Sequence, residues 1–588
     1  MVKSYLYPSL VRGEAEGGEI AQLRKNTCVS SGKRYYMFST LSAILRSTAP
    51  LVAATLLASA AGNAVAGESR NPAGNFSRLV HPGKNGRLVY TPDKLGNTIP
   101  DFSSVGYGSG GVRLPKVTVR AVVKPGGGND TARVQAAIDR VSAMPPDGKG
   151  FRGAVLLKRG RYELQQPLRI ATGGVVLRGE GQDEDGTVLV GLGNMVGKSF
   201  EELSTNTNLI RIEGKSGAEE IRNTATGILD GYVPVGARSF RVESATGFRA
   251  GDTVIVRRSG SMEWLREIGL DVARWEGNGV AHDSDRIITA VEGDRITVDA
   301  PLTCAIETKW GGGEVVKYAD PGRIREVGVE NLRGMSEFDR SVRTTDYGNM
   351  DRTPYTGAEY YSDENHYWNF IAMSNTCNAW VRNITALHFA GSAVLIGQGS
   401  KWVTVQDCVS LEPVSFCAGG RRFTFHICGQ LCLVQRCSSD RGRHSFVVGG
   451  LATCGPNVFR DCVATRPYSS SEPHSSLVTG TLYDNVKAPL AFRFALSNPP
   501  RWMGFNNVMW NCEGMFIVQR PLTAQSYSIG HLGVHAMLFN RGLIDYTKEE
   551  GYIESLDEKV QPPSLYLKQV EDRLGREAVR NITRDGRR

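Results

Sequence analysis

Short, similar strands return along the second half of this chain at an almost constant spacing, and few folds accept that. The segments Trp380-Val381-Arg382-Asn383-Ile384, Val403-Thr404-Val405-Gln406-Asp407-Cys408 and Leu433-Val434-Gln435-Arg436-Cys437 are followed by Val458-Phe459-Arg460-Asp461-Cys462, Leu482-Tyr483-Asp484-Asn485-Val486 and Val508-Met509-Trp510-Asn511-Cys512. Counted at their last residues they lie 24, 29, 25, 24 and 26 residues apart. An earlier copy, Val327-Gly328-Val329-Glu330-Asn331-Leu332, sits 52 residues ahead of the first and reads as two coils away. A period in the twenties is that of a stacked solenoid, whose coils bury their apolar faces against one another. Apolar positions alternate within each segment, as a strand buried on one face requires. The terminal Cys, Ile and Val residues then stack into an interior ladder. On that reading Cys408, Cys437, Cys462 and Cys512 are small core residues rather than metal ligands.

A solenoid can use all 588 residues as one elongated body, and 68 glycines suit its many tight turns. The net charge of +9 is dilute over this length and forms no Lys/Arg run, so no nucleic-acid partner is expected. Within residues 37–61, after a basic lead, Arg46 precedes an Ala/Leu-rich apolar stretch, and Ala64-Val65-Ala66 fits a cleavage site. We read residues 1–66 as an export signal region, with Met1 and Met37 both open as the start. No later segment reaches transmembrane length, so a secreted or periplasmic protein is expected, without a membrane span and monomeric. Of the 11 cysteines, ten follow that region, too unevenly spaced for a disulfide scaffold.

Residues 67–114 read as an irregular linker or wrapping segment. Residues 115–227 hold a helix with apolar positions Val134, Ala137, Ile138 and Val141, capped by Asp130 or Thr131, among short strands with glycine turns. Residues 228–318 break the repeat and read as a small antiparallel β-rich insertion, whose Trp264 and Trp275 fill its core or line a sugar site. The main solenoid covers 319–545, and 546–588 carry a short amphipathic helix, N-capped by Ser564, that docks on the solenoid or plugs its end.

The strings Asn129-Asp130-Thr131, Gln135-Ala136-Ala137-Ile138, Gly160-x-Tyr162 and Leu177-Arg178-Gly179-Glu180-Gly181 resemble the opening of the pectate-lyase superfamily, closest to its rhamnogalacturonase/epimerase-like branch. The resemblance covers about residues 115–195 and implies an all-β chain, a right-handed parallel β-helix with an N-terminal capping helix. It does not choose among lyases, hydrolases, epimerases and tailspikes. The stretch from Arg443-His444 through Trp510-Asn511-Cys512 resembles a further group of that superfamily. Its members read Arg-His-Asp and a His-His pair where this chain has Ser445 and Ser475.

Three polar clusters are candidates for chemistry. Asp363-Glu364-Asn365-His366 offers carboxylates to a Ca²⁺ ion, or Glu364 as a general acid, with His366 toward substrate; a solvated loop explains it as well. Arg421-Arg422 and, about one coil later, Arg441-Gly442-Arg443-His444 offer guanidinium groups to clamp a uronate carboxylate, with His444 and Arg443 as catalytic candidates. The alternative pairs such arginines with Asp407, Asp440 and Asp461 along the wall. Glu472-Pro473-His474 follows Tyr468, and His474 lies 30 residues past His444, close to one period. Catalytic candidates are thus His444, Arg443, His474 and Glu364; substrate-binding candidates are Arg421, Arg422, Arg441, His366 and Tyr468; Asp363 and Glu364 are the Ca²⁺ candidates.

These types suit a polysaccharide lyase acting by β-elimination on a uronate-containing glycan. A glycoside hydrolase instead needs two carboxylates, about 5 Å apart for retention or roughly 6.5–9.5 Å for inversion; Asp363, Glu364, Asp440 and Glu472 are available. A non-catalytic glycan-binding surface protein is the third reading.

Overall fold

The computed structural model describes residues 74–193, 195–199, 202–203, 207–270, 279–348, 355–474, 476–497, 500–535 and 544–583. The export signal region, Trp275 and Ser475 lie outside the described residues.

The chain is a right-handed parallel β-helix built of three sheets. The first begins with Val119–Val123, Gly153–Leu157 and Val175–Arg178. It continues through Ile324–Ser336, Thr376–Leu387, Lys401–Gln406, Leu433–Gln435, Cys454–Arg460, Val478–Asp484, Val508–Trp510, Tyr527–Ile529 and Tyr552–Glu554, all parallel. The second runs from Gly160–Leu164 and Thr187–Gly191 through the later halves of Ile324–Ser336 and Thr376–Leu387 to Val409–Leu411, Ser438–Asp440 and Val463–Thr465. The third stacks Leu168–Ile170, Asn208–Glu213, Asn369–Ser374, Val394–Ile396, Phe423–Ile427 and His444–Val448.

Val381 faces Val405, then Val434, Phe459, Tyr483 and Met509 in turn, so the spacing read from the sequence is the coil length. One expectation is corrected. Leu332 pairs directly with Ile384, so their 52 residues are a single coil. The surplus lies between Ser336 and Asn369, where the chain leaves the wall and forms the hairpin of Arg343–Thr344 with Tyr360–Tyr361.

From Ile324–Ser336 to Val508–Trp510, each turn leaving the first sheet is made by one residue. Asn331, Asn383, Asp407, Arg436, Asp461, Asn485 and Asn511 all have φ between 51° and 58°. That left-handed conformation costs most L-residues roughly 1–2 kcal/mol, and asparagine and aspartate tolerate it best. Asn383 Nδ2 donates to Asn331 Oδ1 at 2.9 Å, tying one corner to the next. The bend aims the following residue inward: Leu332, Ile384, Cys408, Cys437, Cys462, Val486 and Cys512 lie buried in one continuous core. The ten described cysteines are all free thiols. Cys437→Ser exchanges a weakly polar sulfur for a hydroxyl in this ladder and is expected to cost about 1–3 kcal/mol; a denaturation midpoint equal to the parent's would contradict an interior thiol stack.

The helix Thr131–Ser142 buries Val134, Ala137, Ile138 and Val141 against the first coils. The antiparallel insertion runs from Glu219 to Ala319, so it takes in Glu219–Gly227, which the sequence places with the first coils. It has its own core. Its Asp285 is anchored to the solenoid by Lys401 at 2.7 Å and by Arg323 at 2.9 Å. Trp264 is core, packed with Phe505 and Trp502.

At the C-terminus, Ser564 caps the helix Leu565–Leu574 by accepting from the Leu567 N–H. Asp484 Oδ2 accepts from Ser564 Oγ at 2.5 Å and from the Tyr566 N–H at 3.0 Å. The helix therefore docks on the side of the solenoid. With residues from the Val80–Phe102 segment, it covers Leu433, Val458, Leu482, Val508 and Trp510 on the outer side of the first sheet. Over these coils that face is closed to a ligand. Among the described residues no helix is long and apolar enough to cross a membrane.

Candidate functional site

Where the third sheet passes Val448, the next coil continues it as isolated bridges: Val448 with Pro473, and Ser471 with Leu490. Phe423 pairs with His444 in the strands below. Stacking of coils thus brings residues about one period apart side by side. The His444 and His474 rings lie 4.7 Å apart, centroid to centroid, and Phe423 meets both with an edge at 5.1 and 4.9 Å.

Glu472 joins the two imidazoles. Its Oε1 accepts from His474 Nδ1 at 2.8 Å and lies 3.7 Å from His444 Nδ1. Arg493 Nη2 donates to Oε1 at 3.1 Å and Arg493 Nε to Oε2 at 3.2 Å, while Ser470 Oγ donates to Oε2 at 2.7 Å. His444 Nδ1 donates to the Ser470 carbonyl at 2.6 Å. A carbonyl can only accept, so that bond fixes the proton on Nδ1 and leaves the lone pair on His444 Nε2. The carboxylate does the same for His474. His444 Nε2 is buried without a hydrogen-bond partner. Glu472 and His444 are fully buried, whereas 14% of the His474 side chain is exposed, so His474 is the ring that reaches solvent.

Burial sets the charges. It drives His444 well below the ordinary histidine range and His474 down to about 4. Burial also opposes the Glu472 charge, but Arg493 and then the two histidines outweigh it and hold that carboxyl well below its usual value. Near neutral pH the cluster is therefore a carboxylate–guanidinium pair beside two neutral imidazoles. Burial lowers Arg443 to about 10; it donates to the Gly419 carbonyl and lies 5.8 Å from the Phe423 ring centre. His426, pushed down to about 3 by burial and then by His474, meets the same phenylalanine and has the Cys428 thiol 3.3 Å from its Nε2.

His444, Glu472 and His474 place ligand atoms within 4.8 Å of one another, a set of two histidines and a carboxylate that can suit a transition metal. Both Nδ1 atoms are already donating, however, and Arg493 occupies the carboxylate. The arrangement as it stands is a hydrogen-bonded acid–base cluster.

The other candidates are engaged elsewhere. Glu364 is clamped by Arg421 at 2.5 and 2.8 Å and accepts from the Phe416 N–H at 3.0 Å. Asp363 accepts from the backbone N–H groups of Asp339 at 2.8 Å and Asn365 at 3.0 Å. Asp363 and Glu364 therefore secure loops, with their carboxylates drawn to separate partners. His366 is buried between Ser336 Oγ and the carbonyls of Asp363 and Val414. Arg422 is buried against the Ser415 carbonyl and lies 5.2 Å from the ring centres of both Tyr360 and Tyr468. Tyr468 is buried with Tyr347 and Tyr360. Arg441 is about half exposed at a corner of the second sheet. Wall pairing holds for Arg436 with Asp407 and Arg466 with Asp440, and Arg460 pairs with Asp461.

Sequence reasoning missed Arg493 and Arg501. Arg493 follows Glu472 by 21 residues, near one period, and that phase was its signal. Arg501 lies in a short hairpin pairing Phe494–Ala495 with Arg501–Trp502, outside the repeat. Its Nε is buried without a hydrogen-bond partner, and its charge acts on His474.

No family model matches the chain, and no curated protein matches its sequence. Among solved structures it is similar to the tailspike gp61 of Pseudomonas phage phi297, at 14% identity over 69% of this chain and 56% of that one, with a TM-score of 0.38. It is also similar to the Gp54 tailspike of Acinetobacter baumannii bacteriophage AP22, at 11% identity over 69% and 55%, TM-score 0.36. A third is the DFA-IIIase of Arthrobacter chlorophenolicus A6, at 9% identity over 70% and 72%, TM-score 0.34. The matched region spans a little over half the length of the two tailspikes.

Proposed function

We propose that this chain is a carbohydrate-active enzyme that cleaves a uronate-containing polysaccharide by β-elimination, with His474 as the base. The observation that carries this reading is the Glu472–His474 dyad, a neutral imidazole whose Nδ1 proton is held by a buried carboxylate and whose other nitrogen is left as the acceptor. A carboxylate so placed orients the ring and stabilises the imidazolium formed when it takes a proton. Elimination needs that base within reach of the proton α to the uronate carboxylate, and a cation on the carboxylate to stabilise the developing carbanion. Of the two arginines whose charge acts on His474, Arg443 is the more deeply buried, and Arg501 is the cation we assign to the carboxylate. The proton passes to His474 Nε2, its bonding pair becomes the new carbon–carbon double bond, and the glycosidic oxygen leaves with its electrons. The imidazolium then returns the proton to that oxygen.

Two-carboxylate hydrolysis fits less well. Glu472 already accepts four hydrogen bonds, and Asp440 is held by Arg466 and by Thr465 Oγ1. Both lack the unengaged oxygen that a nucleophile or a water-activating base needs.

Incubation with uronate polymers separates the readings. Ultraviolet absorbance from a conjugated double bond marks elimination; new reducing ends without it mark hydrolysis and overturn the proposal, as does binding with neither product. Arg501→Ala is expected to raise KM for an acidic polymer about tenfold, equivalent to about 1.4 kcal/mol; an unchanged KM would remove Arg501 from the site.

A further inference from the structure

A row of polar residues runs across the first sheet and ends beneath the C-terminal helix. Arg382, Gln406, Gln435, Arg460 and Asp484 face one another in register on successive strands. Gln435 Nε2 donates to Gln406 Oε1 at 2.9 Å. Arg460 donates to Gln435 Oε1 from Nε at 3.2 Å and from Nη2 at 2.8 Å, and its Nη1 donates to Asp461. Arg460 is thus taken up by other partners than Asp484, the last member of the row. Asp484 is fully buried and makes no ion pair among the described residues, and its Oδ1 has no hydrogen-bond partner. Only Oδ2 is satisfied, by Ser564 Oγ and the Tyr566 N–H at the start of the helix. The same helix grips the N-terminal segment: Gln569 accepts from the Phe102 N–H at 2.9 Å and donates to the Pro100 carbonyl at 3.1 Å. Arg573 donates to the Ser103 carbonyl at 2.8 Å.

We infer that the C-terminal helix is a clasp tightened by acid, whose docking takes up a proton at Asp484. A buried carboxylate with no counter-ion and one unsatisfied oxygen is costly, and a neutral carboxyl in its place is not. Released from the sheet, Asp484 meets water and ionises in the ordinary range near 4. Docked, burial pushes it up to about 7; Ser564, Tyr566 and Arg460 oppose that rise and Asp461 adds to it. Of the other titratable groups around it, burial pushes the Cys512 thiol up to about 12 and raises Tyr566 above its usual value, so both stay neutral throughout. Below about 4 the carboxyl is protonated in both states, between about 4 and 7 only when docked, and above 7 in neither. Docking is therefore strongest in acid, weakens tenfold per unit as the pH rises toward 7, and is constant beyond. Loosening bares the apolar strip of Leu433, Val458, Leu482, Val508 and Trp510 on the outer side of the first sheet. The inference is independent of the elimination chemistry.

Hydrogen exchange of the full chain at pH 5 and pH 8, read by mass spectrometry, tests the clasp. The helix Leu565–Leu574 is compared with the strand Asn369–Ser374 of the third sheet, and the parent with Asp484→Asn, a neutral mimic of the protonated acid. Both comparisons cancel the intrinsic pH dependence of exchange. From pH 5 to pH 8 the parent's helix is expected to lose about 10²-fold in protection relative to the strand, and the helix of Asp484→Asn to lose none. No relative loss in the parent, an equal loss in the two chains, or a loss in the strand matching that in the helix would each overturn the clasp. Should Asp484→Asn fail to fold, the parent's ratio of helix to strand decides alone: a fall between the two pH values supports the clasp and a constant ratio overturns it.

Discussion

Replacing His474 with alanine is expected to lower kcat on a uronate polymer by about 10²–10⁴-fold, the usual contribution of a positioned proton-transfer group. Circular dichroism should match the parent, because Arg493 and Ser470 still satisfy Glu472. The parent's pH profile carries the sharper signature. Only neutral His474 can accept a proton, and burial lowers its pKa from 6.5 to about 4. Activity should therefore persist as pH falls through 6.5 and decline through about 4. Burial, the largest influence, fixes the sign: Glu472 favours protonation of the ring, and burial together with Arg443 and Arg501 outweighs it. An acid limb near 6.5 would mean that the working base is an ordinary solvated histidine. Retention of full turnover by His474→Ala would remove the dyad from the mechanism.

How much of this the sequence disclosed depended on the periodicity. The core ladder was legible because an inward position in every coil demands a small apolar residue, and Cys408, Cys437, Cys462 and Cys512 recur at the coil length. The corner residues before them were visible as letters, but their role emerges only from φ. Periodicity failed where the chain leaves the wall: the excursion between Ser336 and Asn369 makes one coil look like two. The pairing of His444 with His474 followed from a separation of 30 residues. Arginines were harder, since a guanidinium reads alike whether it faces a ligand or closes a loop. Arg421 and Arg422 proved to be fully occupied with Glu364 and Ser415. Arg493 was overlooked because its partner, Glu472, is recognisable as buried only in three dimensions.

That partnership carries a large expected effect on stability. Arg493 donates twice to a carboxylate with no exposed surface, and its Nη1 is buried without a partner. Arg493→Met keeps the length of the side chain and removes the charge, leaving Glu472 ionised and buried with only Ser470 and His474 as donors. Breaking a buried pair from one side typically costs about 3–5 kcal/mol, because the remaining charge is uncompensated. Glu472 would escape part of that cost by taking up a proton, so its pKa should rise. The protonated form would no longer stabilise an imidazolium on His474, and turnover should fall together with stability. Adding Glu472→Gln to Arg493→Met should recover much of the lost stability, since a neutral amide needs no counter-ion, but not the activity. Denaturation and turnover measured across the parent, the two single variants and the double variant separate the two roles. Recovery of both properties would show that Glu472 serves the fold alone, and additive stability losses would show that the pair is not coupled.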